Sequence, residues 1–323
     1  VFLFVFLAVA WGIPYLMIAV VVREWDPSML VLVRTGGAAV VLLPIAIARR
    51  EVPSVLRHWK PVLAYAALEI GVPWFFLGSA EEHLPSSTTG LLLAAVPLAG
   101  IGVGFLLRTR STISPINLVG LLVGAVGVAL LIGFDVRGSD LGSVGEVAVV
   151  VVGYALGPAI LARWLSDVSG VAVSAFALAA VAVAYVPVVL LRHAWPTAAP
   201  SAGVVWSLVT LVLVCSAGAF VALAGLVREV GAVRATTVTY VNPAIALLAG
   251  ALVLHEPVGV VSIVGFAVIL AGCVLTALPR RARPGGGVRG ADAAAPTPST
   301  RAGSTAAASG APSTRASRRS SRR

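Results

Sequence analysis

Apolar residues in this chain come in ten long blocks, and that patterning constrains the fold more than any other feature. The blocks run over 1–22, 29–48, 61–80, 87–107, 115–133, 145–165, 172–191, 203–226, 234–254 and 258–278. Each is near the ~20 residues that an α-helix needs to cross a hydrocarbon core about 30 Å thick. The apolar residues do not alternate, as in a half-buried strand, nor keep to one stripe, as on a surface helix. Charged residues make up 11% of the chain and mean hydropathy is +1.01, whereas soluble domains carry about 25% charged residues. The expectation is an all-α integral membrane protein with ten transmembrane helices.

The ten blocks repeat as five plus five. Pro97 and Pro243 lie 146 positions apart, Gly120 and Gly127 lie 145 before Gly265 and Gly272, Pro14 lies 144 before Pro158, and Glu82 lies 147 before Glu229. Such a constant displacement marks an internal repeat. A first five-helix repeat is placed over 1–133, a linker over 134–144 and a second repeat over 145–278. Five is odd, so the second repeat enters the membrane from the opposite side to the first. Inverted repeats of this kind build many secondary transporters, with the substrate site near the midplane and broken helices lining it.

Orientation follows from the loop cations. Arg49, Arg50, Arg57, Lys60, Arg108, Arg110, Arg163, Arg228 and Arg234 fall on one side, and Arg23, Arg137 and Arg192 on the other. Basic loops stay in the cytoplasm, so both termini are predicted there, in a cell-membrane protein. Ten of the cations that set the net charge of +10 are arginines beyond Pro279. That stretch, 279–323, is rich in Arg, Ser, Ala and Pro and reads as a disordered tail with too little apolar surface to order itself. The closing RASRRSSRR suits anionic lipid at roughly 1 kcal/mol per basic side chain, or is simply a solvated tail. The basic balance therefore implies no nucleic-acid partner. The first span, though it opens on Val1 without a charged leader, is read as a true helix and not a signal peptide.

The ninth span, ATTVTYVNPAIALLAGALVLHE over Ala235 to Glu256, is the one around which the others are expected to gather. It starts polar, and Pro243 near its middle frees backbone carbonyls that neighbouring helices or water must satisfy. On a 3.6-residue period Thr236, Tyr240, Pro243 and Leu247 share a face. Its echo in the first half is Ser87 to Leu107, with Pro97 at mid-span. Pro14, Pro73, Pro97, Pro158 and Pro243 are the predicted kinks or hinges.

Arg34 and Glu69 are the ionisable residues placed well inside predicted spans. A charge at such depth costs about 2.5–3.5 kcal/mol on insertion scales, so each needs a partner or water. From a rise of about 1.5 Å per residue, Arg34 lies roughly 10 Å below one face and Glu69 roughly 12 Å above the other, leaving about 8 Å between them. Two readings stand. One is a structural ion pair between the second and third spans. The other is that Glu69 takes a coupling proton, or that Arg34 holds a substrate carboxylate. Trp11, Tyr15, Tyr154, Phe76, Tyr240, Thr236 and Asn242 supply aromatic and polar lining of the kind small organic ligands use, with ordinary packing or an interfacial belt as the alternative. Gly100 and Gly104, Gly120 and Gly124, and Gly153 and Gly157 are four apart, a spacing that lets helices approach or dimerise. His255 beside Glu256 is a turn residue or a pH sensor. Cys215 and Cys273 lack metal spacing and read as small fillers.

Ten helices in two halves of five, with both termini inside, resemble the EamA-type members of the drug/metabolite transporter superfamily. The likeness is carried by Trp11-Gly12, Pro27 followed by Arg34, Pro97, Asn242-Pro243 through Glu256, and Gly265 to Gly272. It covers about 1 to 278. It departs where Arg108-Thr109-Arg110 stands at the end of the fourth span in place of a glutamate, and where Thr35 follows Arg34 in place of an aromatic. The resemblance implies a small-metabolite carrier, commonly an exporter of amino acids, related metabolites or drugs, working without a cofactor or metal and without enzymatic turnover. No phosphate-cradling GxxxxGK[ST] is present, so the energy source expected is a gradient. The rival classes are a multi-pass enzyme acting on lipid, whose polar residues would centre on Glu81, Glu82 and His83, and a non-transporting sensor or assembly subunit.

Overall fold

In the computed structural model the protein is described over residues 1–106, 115–135, 140–231 and 235–277. The 279–323 tail, its lipid-binding expectation, and the loop cations Arg108, Arg110, Arg137 and Arg234 lie outside them. The regular secondary structure of the described residues is all helical. Eight helices are long and apolar enough to cross a membrane and two are shorter. We label them α1 (Phe2–Val21), α2 (Pro27–Ala48), α3 (Trp59–Ala80), α4 (Ser86–Leu92, continued through Leu93–Ala95 and Val96–Leu106), α5 (Pro115–Asp135), α6 (Leu141–Trp164), α7 (Gly170–Leu191), α8 (Ala202–Val230), α9 (Thr236–Tyr240 and Asn242–Val253) and α10 (Val260–Ala277).

Local chemistry sets the ends. The Asp26 carboxylate accepts from Ser28 N (2.8 Å) and Ser28 Oγ (2.6 Å), capping α2 just before Pro27 takes the first helical position. Such a cap is worth about 1 kcal/mol. Ser201 Oγ accepts from Val204 N (3.3 Å) at the start of α8. Gly231, at φ +83°, ends α8 in a conformation that a side chain would strain.

Of the five predicted breaks, those at Pro14, Pro97 and Pro243 follow an interruption and Pro73 follows a π turn, whereas α2, α6 and α7 run on through Pro44, Pro158 and Pro187. α1 breaks at Ile13, ahead of Pro14. α4 and α9 each pass through a 3-10 turn, Leu93–Ala95 and Thr236–Tyr240, before Pro97 and Pro243 restart an α-helix. The freed backbone finds neighbours, as lipid exposure demands: the Cys273 thiol reaches Ala94 O at 3.5 Å. Cys273 is thus more than a filler. Pro158, by contrast, sits inside α6, which runs through it uninterrupted. The 3-10 winding also corrects the face drawn on the ninth span. At three residues per turn, Thr236 and Tyr240 do not align as they would on a 3.6-residue period.

The two halves pair by position. α2 packs on α7, α4 on α9 and α5 on α10, while α3 packs on α6 and α1 on α8. The α5–α10 crossing shows the inversion directly. A Cβ at Gly127 would meet Gly265 O and Ile269, and one at Gly272 would meet the backbone of Gly120 and Gly124. Ascending one helix descends the other, so equivalent helices run antiparallel. Only glycine permits this approach. Gly153 likewise presses on Leu68 O and Pro73 of α3, whereas Gly100 faces open space.

A second correspondence has no sequence signature. α3 contains a π-helical turn, Ala66–Gly71, and α8 contains another, Leu213–Gly218. They lie 147 positions apart, so Ser216 is the counterpart of Glu69. Tyr185 OH donates to Gly71 O (2.8 Å), satisfying a carbonyl the π turn leaves out of register. Such turns occur preferentially at functional sites.

Candidate functional site

Arg34 of α2 is 5% exposed, at the centre of the bundle. Its guanidinium carbon stands 3.6 Å from the centroid of the Trp74 ring of α3, and its Nε donates to Ser216 Oγ of α8 at 3.0 Å. Tyr15, Tyr154, Cys215 and Glu81 lie within electrostatic reach of it. Trp74 also neighbours Tyr154. A desolvated cation–π contact contributes about 2 kcal/mol and a hydrogen bond from a charged group about 1.5–3 kcal/mol. Together they offset the cost of carrying one charge into the span. The neighbours come from α1 and α3 of the first half and from α6 and α8 of the second. The site straddles the seam.

The ion pair between Arg34 and Glu69 does not form. Arg34 is satisfied by Ser216 and Trp74, and Glu69 faces α6, where a methyl group at Gly157 would collide with its carboxylate. Rise along the axis fixes depth in the membrane and leaves the direction of a side chain open. The π turn adds one residue to the coil, which turns what it carries by about 100° around the axis. Part of the Glu69 side chain remains exposed, yet its Oε2 is sealed and has no hydrogen-bond partner. Tyr65 and Tyr154 are its polar neighbours.

One face of the bundle is held shut across the seam by four polar links. Asp26 Oδ2 accepts from Arg192 Nη2 (2.9 Å), Glu24 Oε2 from Ser201 N (3.0 Å), and Glu146 Oε1 from Ser79 Oγ (2.8 Å). Glu256 is the most heavily engaged. Its Oε1 accepts from both Ser86 N and Ser86 Oγ (2.9 Å each), and its Oε2 accepts from Ser87 N (2.9 Å), capping α4 from the other half. His255, at φ +53°, folds the chain back so that Glu256 N donates to Gly250 O (3.2 Å). The turn reading of His255 is the one its backbone fits. On the opposite face His58 Nε2 lies 3.7 Å from Asp167 Oδ2, a carboxylate that is mostly exposed. Ser201 holds the Glu24 carboxyl below its ordinary value. Against the upward push of burial, hydrogen bonds from Arg192 and Ser28 do the same for Asp26.

The model of the EamA-like transporter family matches residues 1–133 and again 145–278. The chain belongs to that family. It is similar to the uncharacterized inner membrane transporter YedA of Escherichia coli K12, at 26% identity over 276 residues, 84% of this chain and 88% of YedA. The YedA chains of E. coli O6:H1 and O157:H7 match equally. A solved crystal structure aligns over 85% of this chain and 95% of its own with a TM-score of 0.62 at 20% identity, which speaks for the fold alone.

In this EamA-like chain the predicted lining residues are only partly gathered. Tyr15, Arg34 and Tyr154 meet at the centre, and Phe76 packs against the same core. Tyr240 also joins that core but neighbours Cys273, away from Arg34. Trp11 belongs to a separate cluster with Leu7, Ala219 and Leu226. Asn242 is buried against Gly12 of α1 with its Oδ1 unpartnered. The Thr236 side chain lies outside the described residues.

Ser216, Cys215 and Glu81 were missed by sequence reasoning. A serine or cysteine within an apolar span carries no signal there. Glu81 adjoins exposed Glu82 and His83 in sequence, but it is itself 6% exposed. Two apolar grooves, of about 330 and 410 Å³, lie between α3 and α6 and among α4, α5 and α6. The first groove has exposed Val72, Val149 and Val152 in its wall and the second has exposed Gly102 and Ala125, so both open at the outer surface of the bundle, and neither is lined by a residue of the Arg34 cluster.

Proposed function

We propose that the chain is a secondary transporter of small organic metabolites, exporting them across an inner membrane by alternating access of its two inverted halves. The observation that carries this reading is Arg34: a buried cation on the seam, held by one group from each half, Trp74 and Ser216. A substrate carboxylate competes with Ser216 for the guanidinium, and Tyr15, Tyr154 and Trp74 offer flat apolar walls beside it. The nine-to-three bias of loop cations supports a cytoplasmic position for the His58 face and both termini, and an outer position for the Arg192 face. On that assignment the four cross-seam links close the outside.

Glu69 is the coupling group in this reading. One of its carboxylate oxygens, Oε2, is sealed against α6 without a donor, and a rocking motion that parts α3 from α6 exposes it to water. The test is counterflow of a labelled panel of amino acids and related carboxylates in proteoliposomes. Exchange that is lost in Arg34→Met supports the carrier. No exchange of any compound by the parent chain, with labelling that places Ser86 and Gly259 on opposite sides, sinks it. Transport that stays pH-independent, and unchanged in Glu69→Gln, removes Glu69 from the coupling.

A further inference from the structure

The residue that neither the transport reading nor the Arg34 contacts account for is Glu81. It ends α3 on the Arg192 face, just beyond the apolar span. It is 6% exposed, and neither carboxylate oxygen has a hydrogen-bond partner. The Ala19 backbone approaches it without reaching bonding geometry. The charged and titratable groups that face it are Glu256 from the turn after α9, Arg34 from α2 and Tyr15 from α1. Glu256 already receives three hydrogen bonds from Ser86 and Ser87. A buried carboxylate thus feels the charge of a second, half-buried one, and all the donors go to the second.

We infer that Glu81 is a proton-binding latch: the Arg192 face closes when the Glu81 carboxylate takes a proton from the water on that side, and opens when the proton is returned. The step moves one proton between bulk water and a carboxylate oxygen and changes no other bond. With Glu81 neutral, Glu256 is free to seat its charge on the start of α4, where backbone N–H groups favour an anion. With Glu81 ionised, an unpartnered buried charge opposes the like charge of Glu256, and the cap leaves so that water can reach Glu81.

The sign agrees with the environment. Burial pushes the Glu81 carboxyl well above the usual carboxylate range, the charge of Glu256 pushes the same way, and Arg34 opposes both. When the face opens, water restores the ordinary value of about 4.3. The closed form therefore holds the proton more tightly. It is favoured at low external pH, and its advantage declines as pH rises above the ordinary value toward the raised one. An exporter built this way closes its outer face by taking up an external proton.

The latch rests on the carrier reading, and the experiment separates the two. Leu84, 4% exposed beside the latch, is replaced by cysteine, and Ala198, exposed on the same face, serves as the reference site. Intact proteoliposomes oriented with this face outward are treated with an impermeant maleimide at external pH of about 5.5 and about 8, and labelling of L84C is normalised to A198C. The background from Cys215 and Cys273 is read from the chain without either change. The expected result is a rise of roughly fivefold or more from the lower to the higher pH. In Glu81→Gln and Glu81→Met the labelling is low and flat, and in Glu256→Gln it is high at both values. A flat parental response, or a parental response retained by either neutral Glu81 variant, overturns the latch. Counterflow at matched pH decides the carrier reading on the same vesicles.

Discussion

Arg34 Nε donates to Ser216 Oγ over 3.0 Å, and Ser216 stands in the second half where Glu69 stands in the first. The repeat keeps the π turn in both halves and changes what the turn carries. One copy presents a hydroxyl that accepts from the buried arginine. The other presents a carboxylate that turns toward α6. The halves are alike in backbone and unlike in chemistry, and the seam between them is where the difference lies.

Replacing Arg34 with lysine keeps the charge and removes both contacts that hold it. A compact ammonium has no planar fork to lie over Trp74 while bonding Ser216. The half-saturation concentration for a carboxylate substrate in counterflow is expected to rise at least tenfold, on the order of 1.4 kcal/mol or more. Ser216→Ala is expected to have a smaller effect, because it frees the guanidinium for the substrate while the cation–π contact with Trp74 still positions it. An equal loss in both variants contradicts the division of roles.

Glycine substitutions separate close packing from open surface. Gly272→Ala forces a methyl group onto the α5 backbone, which cannot yield as a side chain can. Gly157→Ala drives one into the Glu69 carboxylate. Overpacking of this kind costs about 1–3 kcal/mol, with Gly272 expected at the upper end. Gly100→Ala meets nothing within 4 Å and is expected to stay within about 0.5 kcal/mol. Denaturation in detergent, compared across the three, checks the order.

Glu256 and Gly250 act together. A Cβ at Gly250 would strike Glu256 Oε2 and Ser86 Oγ. Gly250→Ala should therefore unseat the cap as effectively as Glu256→Ala, at about 1–2 kcal/mol of closed-state stability. Protection of the Ser86 and Ser87 amides in hydrogen exchange reports the loss in both.

The link between Asp26 and Arg192 titrates with the opposite sign to Glu81. Asp26 is held below its ordinary value of about 3.9, so its contribution is fully present above that value and lost as pH falls through the lowered one. The pair is half in solvent, and its worth is at most about 1 kcal/mol, less in high salt. Asp26→Asn keeps a good α2 cap and removes the charge. Thermal stability of the variant should match the parent at the acid end and fall behind it near neutrality. A constant difference at every pH would remove the ion pair as the cause.

Much of this architecture was legible before any coordinates. The ten apolar blocks, the breaks at Pro14, Pro97 and Pro243, and the glycines of α5 and α10 follow from rules that act within one helix or at a fixed spacing. A span must bury its backbone hydrogen bonds inside itself, and a proline must interrupt them. These consequences do not depend on which helix lies alongside. Pro158 marks the limit even here, since its helix runs on through it.

What only the tertiary structure decided is which side chains from different helices meet. That depends on the rotation of each helix about its axis, where one inserted residue is worth about 100°. The π turns at Ala66–Gly71 and Leu213–Gly218 change that rotation without any marker in their residues. They separate Glu69 from Arg34 and give Arg34 to Ser216. Burial is collective in the same way: Glu81 and Glu82 are adjacent in sequence, yet only Glu81 is sealed between the two halves.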